Sequence, residues 1–105
     1  MVRGDVHEIT LPRRRGHVQH GRRYAVIVQA DDLLSLSTAV VCPTSSAVFA
    51  ASFHPQITLL GKPTQVLCEM VGAVDARALG KHVDHLTLNE MRDVEDALAL
   101  VLDLR

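Results

Sequence analysis

Thr87-Leu88-Asn89-Glu90-Met91-Arg92-Asp93-Val94-Glu95-Asp96-Ala97-Leu98 is the stretch on which the fold turns. Thr87 and Glu90 have capping-box spacing: the threonine hydroxyl accepts from the Glu90 amide while the Glu90 carboxylate reaches back to the Thr87 amide. Leu86 and Met91 stand where a hydrophobic staple places its pair. Met91, Val94, Leu98, Val101 and Leu102 then follow i, i+3, i+4 spacing, with Arg92, Asp93, Glu95 and Asp96 on the other side. This predicts a helix of about four turns with one face packed on a sheet.

Upstream the signals are those of strands and turns. Residues 5–11 read as a strand ending at Pro12, and residues 12–22 as a basic, glycine-bearing loop. Residues 24–29 are Ala and β-branched enough for a buried strand, and residues 31–37 connect it to a second apolar run, 38–42, which Pro43 is expected to end. Residues 44–52 read as a loop, and 53–60 and 64–69 as strands turned through Gly61-Lys62-Pro63. Asp75 caps one helical turn that Gly80 stops, and residues 81–85 form a short strand. Short strands first and one closing helix last imply an α+β or barrel-with-helix domain.

At 105 residues with 48% apolar side chains, the chain is one domain with a real core. Tyr24, Phe49 and Phe53 are its only aromatics. A base-stacking platform of the RRM or OB type is therefore disfavoured. No apolar run is long enough to span a bilayer, and no signal-peptide pattern opens the chain, so a cytoplasmic protein is expected. Cys42 and Cys68 sit in apolar runs rather than a C-x-x-C pair, and read as buried reduced thiols. Six histidines lack zinc-site spacing, so neither metal nor cofactor is expected.

The net charge of −1 hides an asymmetry. Residues 1–23 hold Arg3, Arg13, Arg14, Arg15, Arg22 and Arg23 against Asp5 and Glu8, and the remainder is acidic. The basic end suits an anion. Gly21-Arg22-Arg23-Tyr24 precedes one apolar strand and Pro43-Thr44-Ser45-Ser46 closes the next, so guanidinium and hydroxyl groups meet at strand ends. That combination points to RNA or another phosphodiester.

These residues also carry a resemblance. Arg3-Gly4-Asp5-Val6, the loop Arg15-Gly16-His17-Val18-Gln19-His20-Gly21-Arg22-Arg23-Tyr24, Val40-Val41-Cys42-Pro43-Thr44-Ser45-Ser46, Glu69-Met70-Val71-Gly72-Ala73-Val74-Asp75 and the stretch from Leu86 to Leu102 follow one another as in the MazF/PemK toxin endoribonucleases. The chain resembles that family along nearly its whole length. The resemblance implies a small SH3-like β-barrel of the CcdB/PemK type with a C-terminal helix, assembled as a homodimer. It also implies metal-independent cleavage of single-stranded RNA and a cognate antitoxin that occludes the site. Tyr24 stands where the family has proline, Ser45 where it has threonine, and Met70 and Gly72 where it has a glutamine and an arginine that grip RNA.

Carried onto this chain, the resemblance makes Arg23 and Ser45 the catalytic candidates, with Thr44 as alternative to Ser45. Arg13, Arg14, Arg15, His17, Gln19, Arg22, Ser46 and Glu69 are the RNA-binding candidates. A planar guanidinium binds two phosphate oxygens at once but is a poor base, so Arg23 is first a stabiliser of charge. Its plain structural alternative is an ion pair with Asp5 or Glu8. If the backbone stays extended after Pro43, Ser45 shares the side of Pro43 and Thr44 does not. His17 and His20 titrate near neutrality beside the same loop, whereas His82 and His85 read as structural or surface groups. The competing functional reading is a non-catalytic toxin-fold module, either gyrase-directed like CcdB or an inactive RNA binder.

Overall fold

The computed structural model describes residues 1–10 and 23–104. Among the described residues seven strands, β1 (Asp5–Ile9), β2 (Arg23–Ile27), β3 (Thr38–Ser45), β4 (Gln56–Leu59), β5 (Lys62–Val66), β6 (Gly72–Asp75) and β7 (Leu79–His85), precede one α-helix, α1 (Leu88–Val101). The strands form a curled antiparallel sheet in the order β4-β5-β3-β2-β1-β7. β6 pairs with the first half of β3. The architecture is the expected α+β one, a half-barrel closed by a C-terminal helix.

Both faces of the central strands are buried. Val6, Val26, Cys42, Ile57, Val66 and Cys68 point to the side covered by α1, whose Met91, Val94 and Ala97 complete that cluster. Ile9, Ala25, Ile27, Ala39 and Val41 form a second cluster on the opposite face. Strict alternation along β2 and β3 produces this division, and each fully buried Val or Ile contributes about 1.5–3 kcal/mol. Ala97 joins the buried stripe of α1, while Leu102 falls just past the helix and is half exposed.

The capping box forms as expected. Glu90 N–H donates to Thr87 Oγ1 at 3.1 Å, and Thr87 N–H to Glu90 Oε1 at 2.9 Å. The second oxygen of Glu90 accepts the Thr58 N–H at 2.7 Å, tying the helix start to β4.

Two prolines correct the strand boundaries. Pro43 does not end β3, which continues through Ser45. Val28 N–H donates to Val40 O, so by antiparallel alternation the Ala25–Pro43 pair exchanges no bond across the β2 seam. The missing N–H of Pro43 thus costs that ladder nothing, while its carbonyl accepts from Leu67 N–H at 2.8 Å. Likewise Pro63 lies inside β5 opposite Thr58, whose N–H is turned away to Glu90. The hairpin turn is therefore Leu60-Gly61, both with positive φ (51° and 81°), and not Gly61-Lys62-Pro63.

Other boundaries move less. β1 ends at Ile9, and β5 ends at Val66, with Cys68–Met70 forming a 3-10 turn. Asp75 does cap the following turn by accepting Arg77 N–H at 2.8 Å, but that turn ends at Ala78 and Gly80 lies in β7. β6, which the sequence pattern did not mark, is short and largely exposed.

Candidate active site

Strand register decides which candidate side chains meet. The β2–β3 ladder reaches Ala25–Pro43, so Arg23 and Ser45, each two residues further along its own extended strand, share a face. Arg23 is also paired with Ile9, Ser45 with Gln65, and Gln65 with Gln56. Directly opposed residues share a face. One row therefore crosses five strands as Ile9, Arg23, Ser45, Gln65 and Gln56, on the face opposite α1.

The backbone stays extended through Ser45, so the two adjacent hydroxyls part company. Thr44 faces the helix-covered core between Tyr24 and Val66, and its Oγ1–H donates to Tyr24 O at 2.9 Å. Ser45 Oγ accepts the Ala47 N–H at 3.1 Å, which leaves its own proton available to donate. Ser46, exposed, is next in the chain.

Arg23 is half-buried, and its Nε is a buried donor with no hydrogen-bond partner among the described residues. A buried unsatisfied guanidinium donor is costly unless a ligand supplies the acceptor. Asp5, the proposed structural partner of Arg23, is engaged elsewhere. Its Oδ1 accepts from His85 Nδ1 at 2.7 Å and His82 Nε2 at 3.1 Å, and its Oδ2 from Val2 N–H at 2.8 Å. Burial pushes the Asp5 carboxyl up, but the Val2 and His85 hydrogen bonds and the charge of His82 and His85 outweigh it, leaving it below its ordinary value. His82 and His85 thus have a structural task, as expected.

Glu69 sits in the 3-10 turn after β5, its side chain 40% exposed. His54 Nε2 is 2.6 Å from Glu69 Oε2. Sequence reasoning missed His54, Gln56 and Gln65. A signal existed for the glutamines: Gln56 and Gln65 sit at matching distances either side of the Leu60-Gly61 turn, so the hairpin register, once known, pairs them. Gln65 Nε2 donates to Gln56 Oε1 at 3.0 Å.

Met70 is 54% exposed and Gly72 is exposed, so neither position offers a polar side chain. Cys42 and Cys68 are free and buried. Continuing the β3–β5 register places them opposite each other, and a hydrogen bond to Cys68 together with burial pushes the Cys42 thiol up. Arg13, Arg14, Arg15, His17, Gln19, His20 and Arg22 lie outside the described residues. Among the described residues no group of three His, Cys, Asp or Glu side chains has metal-binding geometry, and no helix is long and apolar enough to cross a membrane.

Comparison with known proteins places this arrangement. The sequence pattern of the family described as PemK-like, MazF-like toxin of type II toxin-antitoxin system matches residues 2–102. A candidate toxin of Mycobacterium tuberculosis is 33% identical over 106 residues, covering 99% of each chain. The fold is similar to MazF from Deinococcus radiodurans, with a TM-score of 0.82 at 20% identity over 98% of this chain and 96% of that one. It is also similar to a mycobacterial endoribonuclease solved with its cognate antitoxin, with a TM-score of 0.81 at 17% identity over 100% and 97% of the two chains.

Proposed function

Since the chain belongs to the PemK-like, MazF-like toxin family of type II toxin–antitoxin systems, we propose that it is an endoribonuclease that cuts single-stranded RNA at short sequences without a metal ion. The observation that carries this reading is the Arg23–Ser45 face: an unsatisfied guanidinium donor shares one side of the sheet with a hydroxyl whose proton is uncommitted.

In the reaction the 2′-oxygen attacks the adjoining phosphorus, the P–O5′ bond breaks, and a 2′,3′-cyclic phosphate and a 5′-hydroxyl result. The proton lost from the 2′-hydroxyl is matched by one gained at the 5′-oxygen. Arg23 binds the non-bridging oxygens as negative charge accumulates in the pentacoordinate state. Ser45 donates its hydroxyl to the same phosphate. Arg13, Arg14, Arg15, His17, Gln19, Arg22 and Ser46 hold the flanking RNA, which makes affinity fall steeply with salt. A cognate antitoxin occludes this face and the working unit is a homodimer; both come from the family, and a mycobacterial neighbour is solved bound to its antitoxin.

Incubating the protein with long RNAs in EDTA and mapping the cut ends tests this. Cuts with 2′,3′-cyclic phosphate ends, lost in Arg23→Ala with the fold retained, are expected. Normal cutting by Arg23→Ala removes the mechanism, and 5′-phosphate ends indicate a hydrolytic nuclease instead.

A second reading has one observation in its favour. The exposed Met70 and Gly72 give no donor where the family grips RNA, which suits a toxin-fold module that binds without cutting. RNAs left intact at high protein concentration, alongside binding of an antitoxin peptide, establish that reading.

A further inference from the structure

We propose that His54 is a positioning residue that fixes Glu69 as an acceptor for a nucleobase bearing an exocyclic amino group. This rests on the RNA-cutting reading above.

The His54 side chain is 10% exposed, yet both its ring nitrogens meet oxygen acceptors. Nδ1 is 3.3 Å from Phe49 O and Nε2 is 2.6 Å from Glu69 Oε2. A neutral imidazole has a single N–H and an ionised carboxylate has none. The short Nε2–Oε2 contact places the ring N–H on Nε2, donating to the carboxylate, in the range of a hydrogen bond to a charged acceptor.

The scaffold around the pair is rigid. His54 and Ala51 bond to each other through their backbones, with His54 N–H to Ala51 O at 2.9 Å and Ala51 N–H to His54 O at 3.3 Å. The Phe53 ring leans on the imidazole with centroids 4.3 Å apart. The turn that carries Glu69 is held by Met70 N–H to Leu67 O at 3.0 Å. From the α1-covered side of the sheet, the Cys42 and Cys68 thiols feel the Glu69 charge, which pushes both up, although the hydrogen bond with Cys42 leaves Cys68 below its ordinary value.

Position links the pair to the row. Continuing the β4–β5 register places His54 opposite Leu67, one rung beyond Gln56–Gln65 on the same face as Ser45. Glu69 Oε2 is held while Oε1 has no partner among the described residues. A carboxylate repels phosphate, so the group it receives from bound RNA is a base edge. Cytosine, adenine and guanine each present an amino group to such an acceptor, whereas uracil flanks its N3–H with two carbonyl oxygens that a carboxylate disfavours.

The test uses the full chain and RNAs that differ at single positions between cytosine and uracil. Wild type is expected to prefer an amino-bearing base at one position. His54→Ala is expected to raise KM there tenfold or more, with kcat within threefold, and to erase the preference. Glu69→Gln is expected to do the same, while His54→Gln, which retains an N–H donor, restores most of it. Nitrogen NMR of wild type is expected to show the His54 Nε2 carrying a hydrogen-bonded proton, a readout that needs no cleavage and no variant. An Nε2 without a proton, or a His54→Ala protein that keeps its base preference, overturns the proposal while leaving the RNA-cutting reading standing. A wild-type protein that neither cuts nor binds any RNA overturns both.

Discussion

Arg23 and Ser45 lie on the same side of the sheet, away from α1, each two residues along its strand from the paired Ala25 and Pro43. Thr44, one residue earlier, has spent its hydroxyl proton on Tyr24 O. The two hydroxyls should therefore respond oppositely to removal. Ser45→Ala is expected to lower RNA cleavage by about 10²-fold or more, the scale of one lost transition-state donor, with little change in melting temperature. Thr44→Val is expected to cost about 1 kcal/mol of stability while cleavage survives. A Thr44→Val protein that melts normally and no longer cuts reverses the assignment.

Leu60 occupies the left-handed region with φ of 51° at an exposed position of a two-residue turn, followed by Gly61 at 81°. Two-residue hairpins with both central residues at positive φ favour Asn-Gly. Asparagine adopts the left-handed region more readily than leucine because its short polar side chain bonds the local backbone, so Leu60→Asn is expected to stabilise the protein by about 1 kcal/mol, read as a higher melting temperature. An unchanged or lower value means that the side chain of Leu60 makes contacts worth as much as the strain.

Asp5 sets an acid limb. Its carboxyl is held below its ordinary value of 3.8, so the folded state favours the charged form more than the unfolded chain does. The stability this confers is complete above the ordinary carboxylate range and is lost as pH falls through the lowered folded value. Asp5→Asn is expected to destabilise the protein at neutral pH and to flatten its acid limb. Urea midpoints measured from pH 7 down to pH 2 check this; parallel curves for the two proteins contradict it.

Glu90 serves two elements and Thr87 one. Thr87→Ala removes a hydroxyl cap and is expected to cost about 1 kcal/mol. Glu90→Ala also deprives Thr58 N–H of its acceptor and is expected to cost more, with faster amide exchange at both Thr58 and Thr87. Equal midpoints for the two variants in denaturant melts mean that the bond to β4 contributes nothing.

The sequence exposed what was local and hid what was paired. The helix from Leu88 was legible because its cap, staple and stripe lie within a few residues of each other. The parity of Ser45 was legible because alternation needs only an extended chain. Pro43 and Pro63 misled because a proline ends a strand only where its N–H would have been used, and that depends on the neighbouring strand. Gln65 could be read only once the hairpin register was known, and His54 not even then. Nothing local distinguishes a glutamine on a row with a catalytic candidate from one in solvent, and the Glu69 partner of His54 is 15 residues away.

β3 lends one edge to two neighbours in succession, first β6 and then β5. A slip of one residue would turn Thr44 to the side of Arg23 and Ser45 to the side of α1, since every side chain changes face together. Such a slip would have to break the seams with β2, β5 and β6 at once. The choice between two adjacent hydroxyls is thus locked by pairings spread along the whole strand, and a mutation as distant as Thr38 can reach the site by loosening that lock.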